Sequence, residues 1–198
     1  MSKLILILLL SAILSCSSRI EVPKYSLSKY RFVEWSSATL IEILDMCRKY
    51  IKYKRDVGDY FNTYCETLEK GYGDCDDYGT FMMGTLKRLG YPWRVRLSIV
   101  YIECNGFHVV LKVERPDGCW MWYDTTGESL MKVYYRDVGI EFDYDGIYFN
   151  QPSVFPSINT TIDYTCSKDL PDKSEIWSVF VPKIRDWQER ERRECVTE

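Results

Sequence analysis

Cys75 lies in the stretch GYGDCDDYG (71–79), where glycines and aspartates surround a single thiol. A segment with helical periodicity starts at this point, and its apolar stripe comprises Tyr78, Phe81, Met82, Thr85, Leu86 and Leu89. Cys75 would therefore occupy the first turn of a helix, where the helix dipole favours negative charge. Because only the thiolate is a good nucleophile, a lowered pKa at this position would suit covalent chemistry on carbonyl carbon. We predict that Cys75 is a nucleophile.

His108 and Asp124 are the candidate partners of this thiol. His108 is the only histidine of the chain and lies in a strand-like run, and Asp124 ends the next such run. The turn sequence Pro116-Asp117-Gly118 separates the two runs, which predicts a β-hairpin with both side chains on one face. An imidazole that acts as base and then acid needs an acceptor on its other nitrogen. Asp124 would supply that acceptor, and the three residues would form a Cys-His-Asp triad.

The aspartates around the thiol admit a simpler interpretation. Asp74 is suited to cap the helix, and Asp76 and Asp77 in the first turn would interact favourably with its dipole. Gly73 would let the backbone bend before the nucleophile. Carboxylates beside a thiolate oppose its formation, so they must point away, cap the helix or bind a cation.

The predicted helices and strands indicate an α+β fold, with helices on one side of an antiparallel sheet. Three helical segments come first: a helix from about residue 38 to 55, a short one over 63–70, and the helix that starts at Cys75. Strands are predicted over 94–102, 107–113 and 119–125, with weaker signals at 132–135, 146–149 and 177–181. Residues 150–159 suggest a loop, and a charged helix is expected over 184–194.

Several ordered motifs resemble the transglutaminase-like superfamily, whose members have a papain-like fold. They are Gly73-Asp74-Cys75-Asp76-Asp77-Tyr78, Leu89-Gly90, Phe107-His108-Val109 and Trp122-Tyr123-Asp124-Thr125-Thr126. The stretches 53–56 and 66–75 are most similar to bacterial transglutaminase-like cysteine proteinases. The resemblance implies a catalytic triad of Cys75, His108 and Asp124. Some of these enzymes bind calcium through acids flanking the nucleophile, which would correspond to Asp74 and Asp76.

The predicted function is a cysteine-dependent acyl-transfer enzyme, foremost a peptidase acting on peptide or protein amides. Two alternatives are open: a transglutaminase that crosslinks proteins, and a binding module that has kept the fold without catalysis. The residues themselves predict no cofactor and no metal, since there is no C-x-x-C pair and no zinc-type spacing. The net charge of −3 and the absence of a long basic block argue against a nucleic-acid partner.

The N-terminus has the pattern of a bacterial lipoprotein signal. A lysine precedes an apolar run over residues 4–14, and a small residue stands directly before Cys16. We expect residues 1–15 to be a signal peptide, Cys16 to carry a lipid that anchors an exported protein in the membrane, and 16–35 to be a tether. Residues 36–127 would then be the catalytic core and 128–198 a C-terminal extension. Without Cys16 seven cysteines are left, so at least one thiol should be unpaired within the chain.

Overall fold

The computed structural model describes residues 33–55, 60–102, 106–126, 134–150, 153–156 and 173–194. The predicted signal peptide, Cys16 and most of the tether lie outside the described residues. The helices are α1 (Ser37–Tyr50), α2 (Tyr64–Lys70), α3 (Cys75–Arg88) and α4 (Lys173–Glu194). The strands are β1 (Lys52–Tyr53), β2 (Tyr72–Gly73), β3 (Val95–Ile102), β4 (Gly106–Glu114), β5 (Trp120–Asp124), β6 (Tyr134–Phe142), β7 (Ile147–Phe149) and β8 (Ser153–Pro156).

The architecture is α+β, as the sequence predicts. Six antiparallel strands form one sheet in the order β5-β4-β3-β6-β7, with β8 paired to β6. The remaining strands, β1 and β2, form a separate parallel pair directly before the nucleophile.

Helix α3 packs closely on the centre of the large sheet. Gly79 makes this approach possible, because a Cβ there would lie 2.7 Å from Leu97 Cδ2 and 3.3 Å from Val109 Cγ1. Phe81, Met82 and Leu86 are fully buried, so the predicted stripe of α3 belongs to the core. The sheet therefore fixes the axis of α3, and with it the place of Cys75.

The N-terminal helices begin at side-chain caps. Ser36 accepts a hydrogen bond from the Thr39 amide at the start of α1, and Thr63 accepts from the Glu66 amide in a capping box at the start of α2. The prediction that the first helix reaches residue 55 is wrong, because α1 ends at Tyr50 and the chain pairs with β2 two residues later.

Two predictions for the C-terminal half are wrong as well. Residues 177–181 belong to α4, which continues through Pro182, and the predicted loop over 150–159 contains β8. The β-branched and aromatic residues of 177–181 suggested a strand, yet Ile176, Phe180, Ile184 and Trp187 recur at helical spacing and are buried. Burial of that stripe outweighs local strand preference.

Among the described residues, no helix is both long and apolar enough to cross a membrane.

Candidate active site

Cys75 is the first residue of α3, as predicted. Asp74 is the N-cap residue in an extended conformation, and Gly73 precedes it at the end of β2. A Cβ at Gly73 would lie 2.3 Å from Asp77 Cβ, so only glycine allows the chain to pass this closely. The β2 strand and the tight approach at Gly73 together present the thiol at the start of the helix.

The sulfur of Cys75 lies against strand β4. Backbone amides of Val109 and Asp76 hydrogen-bond the sulfur and lower the pKa of the thiol. Three larger effects oppose them: burial raises the pKa, and the negative charges of Asp76 and Asp74 raise it further. The pKa of Cys75 is therefore well above the ordinary value for a thiol, contrary to the sequence prediction. The thiolate at this place needs positive charge nearby.

His108 and Asp124 form the predicted pair. His108 Nε2 lies 3.2 Å from Asp124 Oδ1, and both side chains are mostly buried. Asp124 stands opposite Val110 in the β4–β5 register, so it reaches His108 diagonally across the hairpin. The same carboxylate oxygen accepts hydrogen bonds from the amide and hydroxyl of Thr126, which fix its orientation. With Nε2 held by the carboxylate, proton exchange falls to Nδ1.

Thr125 connects the three segments that carry these residues. Its buried hydroxyl lies 3.0 Å from the carbonyl oxygen of Cys75 and 2.9 Å from that of Val109. It follows Asp124 in the chain and contacts the strand residue next to His108. Thr125 belongs to the motif over residues 122–126, but its role has no sequence signal, since its two acceptors lie on distant segments.

Asp74, Cys75 and Asp76 form a cluster of possible metal ligands, with one ligand atom of each residue within 4.8 Å of the others. Burial, together with the adjacent Asp74 side chain and its charge, raises the pKa of Asp76 well above its ordinary value. Asp76 Oδ2 is buried without a hydrogen-bond partner among the described residues. Two close carboxylates with an unsatisfied oxygen fit a hard, oxygen-binding cation such as Ca²⁺.

Asp77, the third acid, is a structural anchor. Its Oδ1 accepts hydrogen bonds from the Asn62 amide at 2.9 Å and the Asn62 side chain at 2.6 Å, and its Oδ2 lies 3.3 Å from the Asp74 amide. Asp77 is fully buried, and burial is the main cause that raises its pKa to about 6. It ties the loop before α2 to the turn before the nucleophile, a role that sequence analysis did not give it.

Contacts of Tyr123 hold the strand end that carries Asp124. The hydroxyl of Tyr123 donates to Asp45 Oδ1 at 2.6 Å, which joins β5 to α1. Arg48 forms an ion pair with the same carboxylate and lies over the Tyr123 ring. The hairpin end that carries Asp124 is thus fixed on both sides.

The described cysteines other than Cys75 lie elsewhere. Cys47 is buried, Cys65 is partly buried and Cys119 is exposed, and none of these three thiols nor Cys75 forms a disulfide. The remaining cysteines, Cys16, Cys104, Cys166 and Cys195, lie outside the described residues.

The candidate site thus consists of a thiol at the start of α3, a histidine on β4 and a carboxylate at the end of β5. The family model of the transglutaminase-like superfamily matches residues 33–125. This segment is a transglutaminase-like domain, and the chain has the transglutaminase-like fold.

Solved structures of bacterial proteins are similar to this chain. LapG from Legionella pneumophila is 21% identical with a TM-score of 0.51, and the match covers 62% of this chain and 72% of that one. Its calcium-bound form is 18% identical, with a TM-score of 0.49 and coverages of 62% and 74%. A candidate cysteine protease from Cytophaga hutchinsonii is 13% identical, with a TM-score of 0.45 and coverages of 74% and 53%. No curated protein matches the chain.

Proposed function

We propose that the protein is a cysteine peptidase that cleaves peptide or protein amides through Cys75, His108 and Asp124. The observation that carries this proposal is the His108–Asp124 pair at 3.2 Å on the strand whose Val109 amide hydrogen-bonds the sulfur of Cys75. The match of residues 33–125 to the transglutaminase-like superfamily supports the same class of reaction.

The reaction follows from the roles of the three side chains. His108 Nδ1 takes the thiol proton, and Sγ forms a bond to the carbonyl carbon while the π electrons move to oxygen. The Cys75 amide, at the start of α3, would donate to that oxyanion. When the tetrahedral intermediate collapses, the imidazolium gives its proton to the departing amine and a thioester remains. Water, deprotonated by His108, then releases the acid and restores the thiol.

Positive charge is needed to stabilise the thiolate, because burial and two carboxylates raise the thiol pKa. The imidazolium of His108, held by Asp124, supplies one such charge. Asp74 and Asp76 would hold a cation such as Ca²⁺, and its charge would lower the pKa of Cys75 further. The chain's own acids would then support catalysis rather than oppose it.

The proposal is tested by comparing two thiols in one protein. Cys119 is exposed whereas Cys75 is partly buried, so exposure alone favours labelling of Cys119. We expect iodoacetamide at pH 7 with Ca²⁺ to label Cys75 faster, and Cys75→Ala to abolish cleavage of protein and peptide substrates while its thermal midpoint stays close to wild type. Cys119→Ala is the matched control and should keep activity.

Preferential labelling of Cys119, or undiminished cleavage by Cys75→Ala, would refute the proposal. Addition of a primary amine separates the two acyl acceptors, because a crosslinking enzyme would yield an amine conjugate and a peptidase the free acid.

We further propose that the protein is exported and anchored by a lipid on Cys16, as the N-terminal sequence pattern suggests. Expression in a bacterial host should place wild type in the membrane fraction and lipid label on the chain. Cys16→Ser should lose the label, and an equally labelled Cys16→Ser protein would contradict the anchor.

A further inference from the structure

We propose that Thr125 is a positioning residue for the nucleophile, and this inference rests on the proposed function. The hydroxyl of Thr125 holds the first residue of α3 at a fixed offset from strand β4. It thereby sets the separation between the Cys75 sulfur and the His108 ring.

The contacts of Thr125 carry the inference. Its Oγ1 lies 3.0 Å from the Cys75 carbonyl oxygen and 2.9 Å from the Val109 carbonyl oxygen. A hydroxyl has one proton to donate, so the two carbonyls share it or receive it alternately. Thr125 is fully buried, and so is its hydrogen bond to Val109, whereas the one to Cys75 is partly buried. Hydrogen bonds in such surroundings are stronger than in water.

The position of Thr125 at the end of the β4–β5 ladder explains why a side chain, and not a backbone amide, pairs with the Val109 carbonyl. The ladder between β4 and β5 ends at the Val110–Asp124 pair, so Val109 lies one residue beyond the last paired position. The hydroxyl of Thr125 satisfies the Val109 carbonyl there, while the Val109 amide contacts the Cys75 sulfur. Helix α3, strand β4 and the end of β5 therefore meet at one hydroxyl.

A small displacement at this junction would act directly on the chemistry. Proton transfer from sulfur to imidazole depends on hydrogen-bond reach, and misplacement by about 1 Å can cost ~10²-fold in rate. Thr125 touches neither substrate nor the reacting atoms, so its effect acts through Cys75 and His108. The turnover number and the pH profile should change, while KM should change little.

The test compares variants that differ in one hydroxyl. Thr125→Ala and Thr125→Ser both lose the methyl group, but only serine keeps the hydroxyl. We expect Thr125→Ser to stay within a few-fold of wild type in kcat and Thr125→Ala to lose ~10²-fold. The pH at which iodoacetamide labelling of Cys75 reaches half its maximal rate should match wild type in Thr125→Ser and shift to higher pH in Thr125→Ala, because the thiolate then lacks the aligned imidazolium.

Ser98→Ala is the matched control for a lost buried hydroxyl. Ser98 is equally buried, and its hydroxyl on β3 lies 3.3 Å from Asp137 Oδ1 on β6. It should lower the thermal midpoint yet leave the pH profile of Cys75 labelling unchanged.

The outcomes separate this inference from the proposed function. Equal kcat values and equal labelling profiles for Thr125→Ala and Thr125→Ser would overturn the positioning role, and so would the same profile shift in Ser98→Ala. If wild type cleaves no substrate and Cys75 is not preferentially labelled, the proposed function fails first. If wild type shows no turnover but Cys75 is still preferentially labelled, the labelling profiles of the Thr125 variants decide the role of Thr125. A wild-type profile in Thr125→Ser and a shifted profile in Thr125→Ala would support that role.

Discussion

At the scale of single residues, the site places negative charge around the group that must become an anion. Asp74 and Asp76 flank Cys75 and raise the pKa of its thiol, while the amides of Val109 and Asp76 lower it. Both carboxyl groups are buried, and burial together with the neighbouring Asp74 raises the pKa of Asp76. The arrangement makes the reactivity of Cys75 depend on whatever neutralises this pair.

Removal of one of the two charges should therefore activate the thiol in the absence of metal. In EGTA at pH 7 we expect iodoacetamide to label Cys75 faster in the Asp76→Asn variant than in wild type, because loss of a negative neighbour lowers the pKa of Cys75. Added Ca²⁺ should accelerate wild type and leave Asp76→Asn unchanged. Mass spectrometry of the labelled peptide measures both rates, and a wild type insensitive to Ca²⁺ would rule out the cation site.

At the scale of elements, Asp77 connects the start of α3 with the loop before α2. Its carboxylate accepts from Asn62 and faces the Asp74 amide, and Gly73 passes so close that no side chain fits. Burial outweighs these hydrogen bonds and raises the pKa of Asp77 to about 6, compared with an ordinary value of 3.8. The native state therefore holds this proton over a pH range in which the unfolded chain releases it.

The sign of the resulting pH dependence follows from linkage. Between pH 4 and 6 the native state binds more protons at Asp77 than the unfolded state, so a rise in pH lowers the free energy of unfolding, by up to ~3 kcal/mol from this group. We expect the stability advantage of wild type over Asp77→Asn to shrink as pH rises from 4 to 7 in EGTA. Urea unfolding at each pH measures the difference.

Asp145→Asn, at an exposed position, serves as the control and should show no such trend. A wild-type advantage that grows with pH would mean that the native carboxylate is ionised and stabilised by Asn62.

The sequence could predict the elements that carry the candidate triad, but not the contacts that join them. Periodicity located α3, and the Pro-Asp-Gly turn located the β4–β5 hairpin, because these signals are local. The hydroxyl of Thr125 and the Tyr123–Asp45 bond join residues far apart in sequence, for which no local pattern exists. The strand signal at 177–181 failed for the same reason, since burial against the sheet determined the helix there.

At the scale of the whole molecule, the matched domain is only part of one folding unit. The family model ends at residue 125, yet β6 lies next to β3 in the same sheet and α4 packs over it. Helix α4 also contacts α2, because Glu191 accepts from the Tyr64 amide and Arg190 pairs with Glu66. Residues beyond 125 thus complete the core that holds the site.

Trp187 provides the sharpest test of this dependence. It is fully buried, and its ring contacts Phe142 of β6 at a centroid distance of 5.7 Å and Tyr144 at 5.4 Å. Truncation of such a side chain costs about 3–5 kcal/mol, a large share of the 5–15 kcal/mol by which a domain is typically stable. Trp187→Ala should therefore lower the urea midpoint steeply and abolish preferential labelling of Cys75, although Trp187 lies far along the chain from it.

Trp177→Ala is the control. Trp177 is partly exposed and packs against Phe149, so its truncation should change the urea midpoint much less. Equal midpoints for wild type and Trp187→Ala would show that residues 33–125 hold the site without α4.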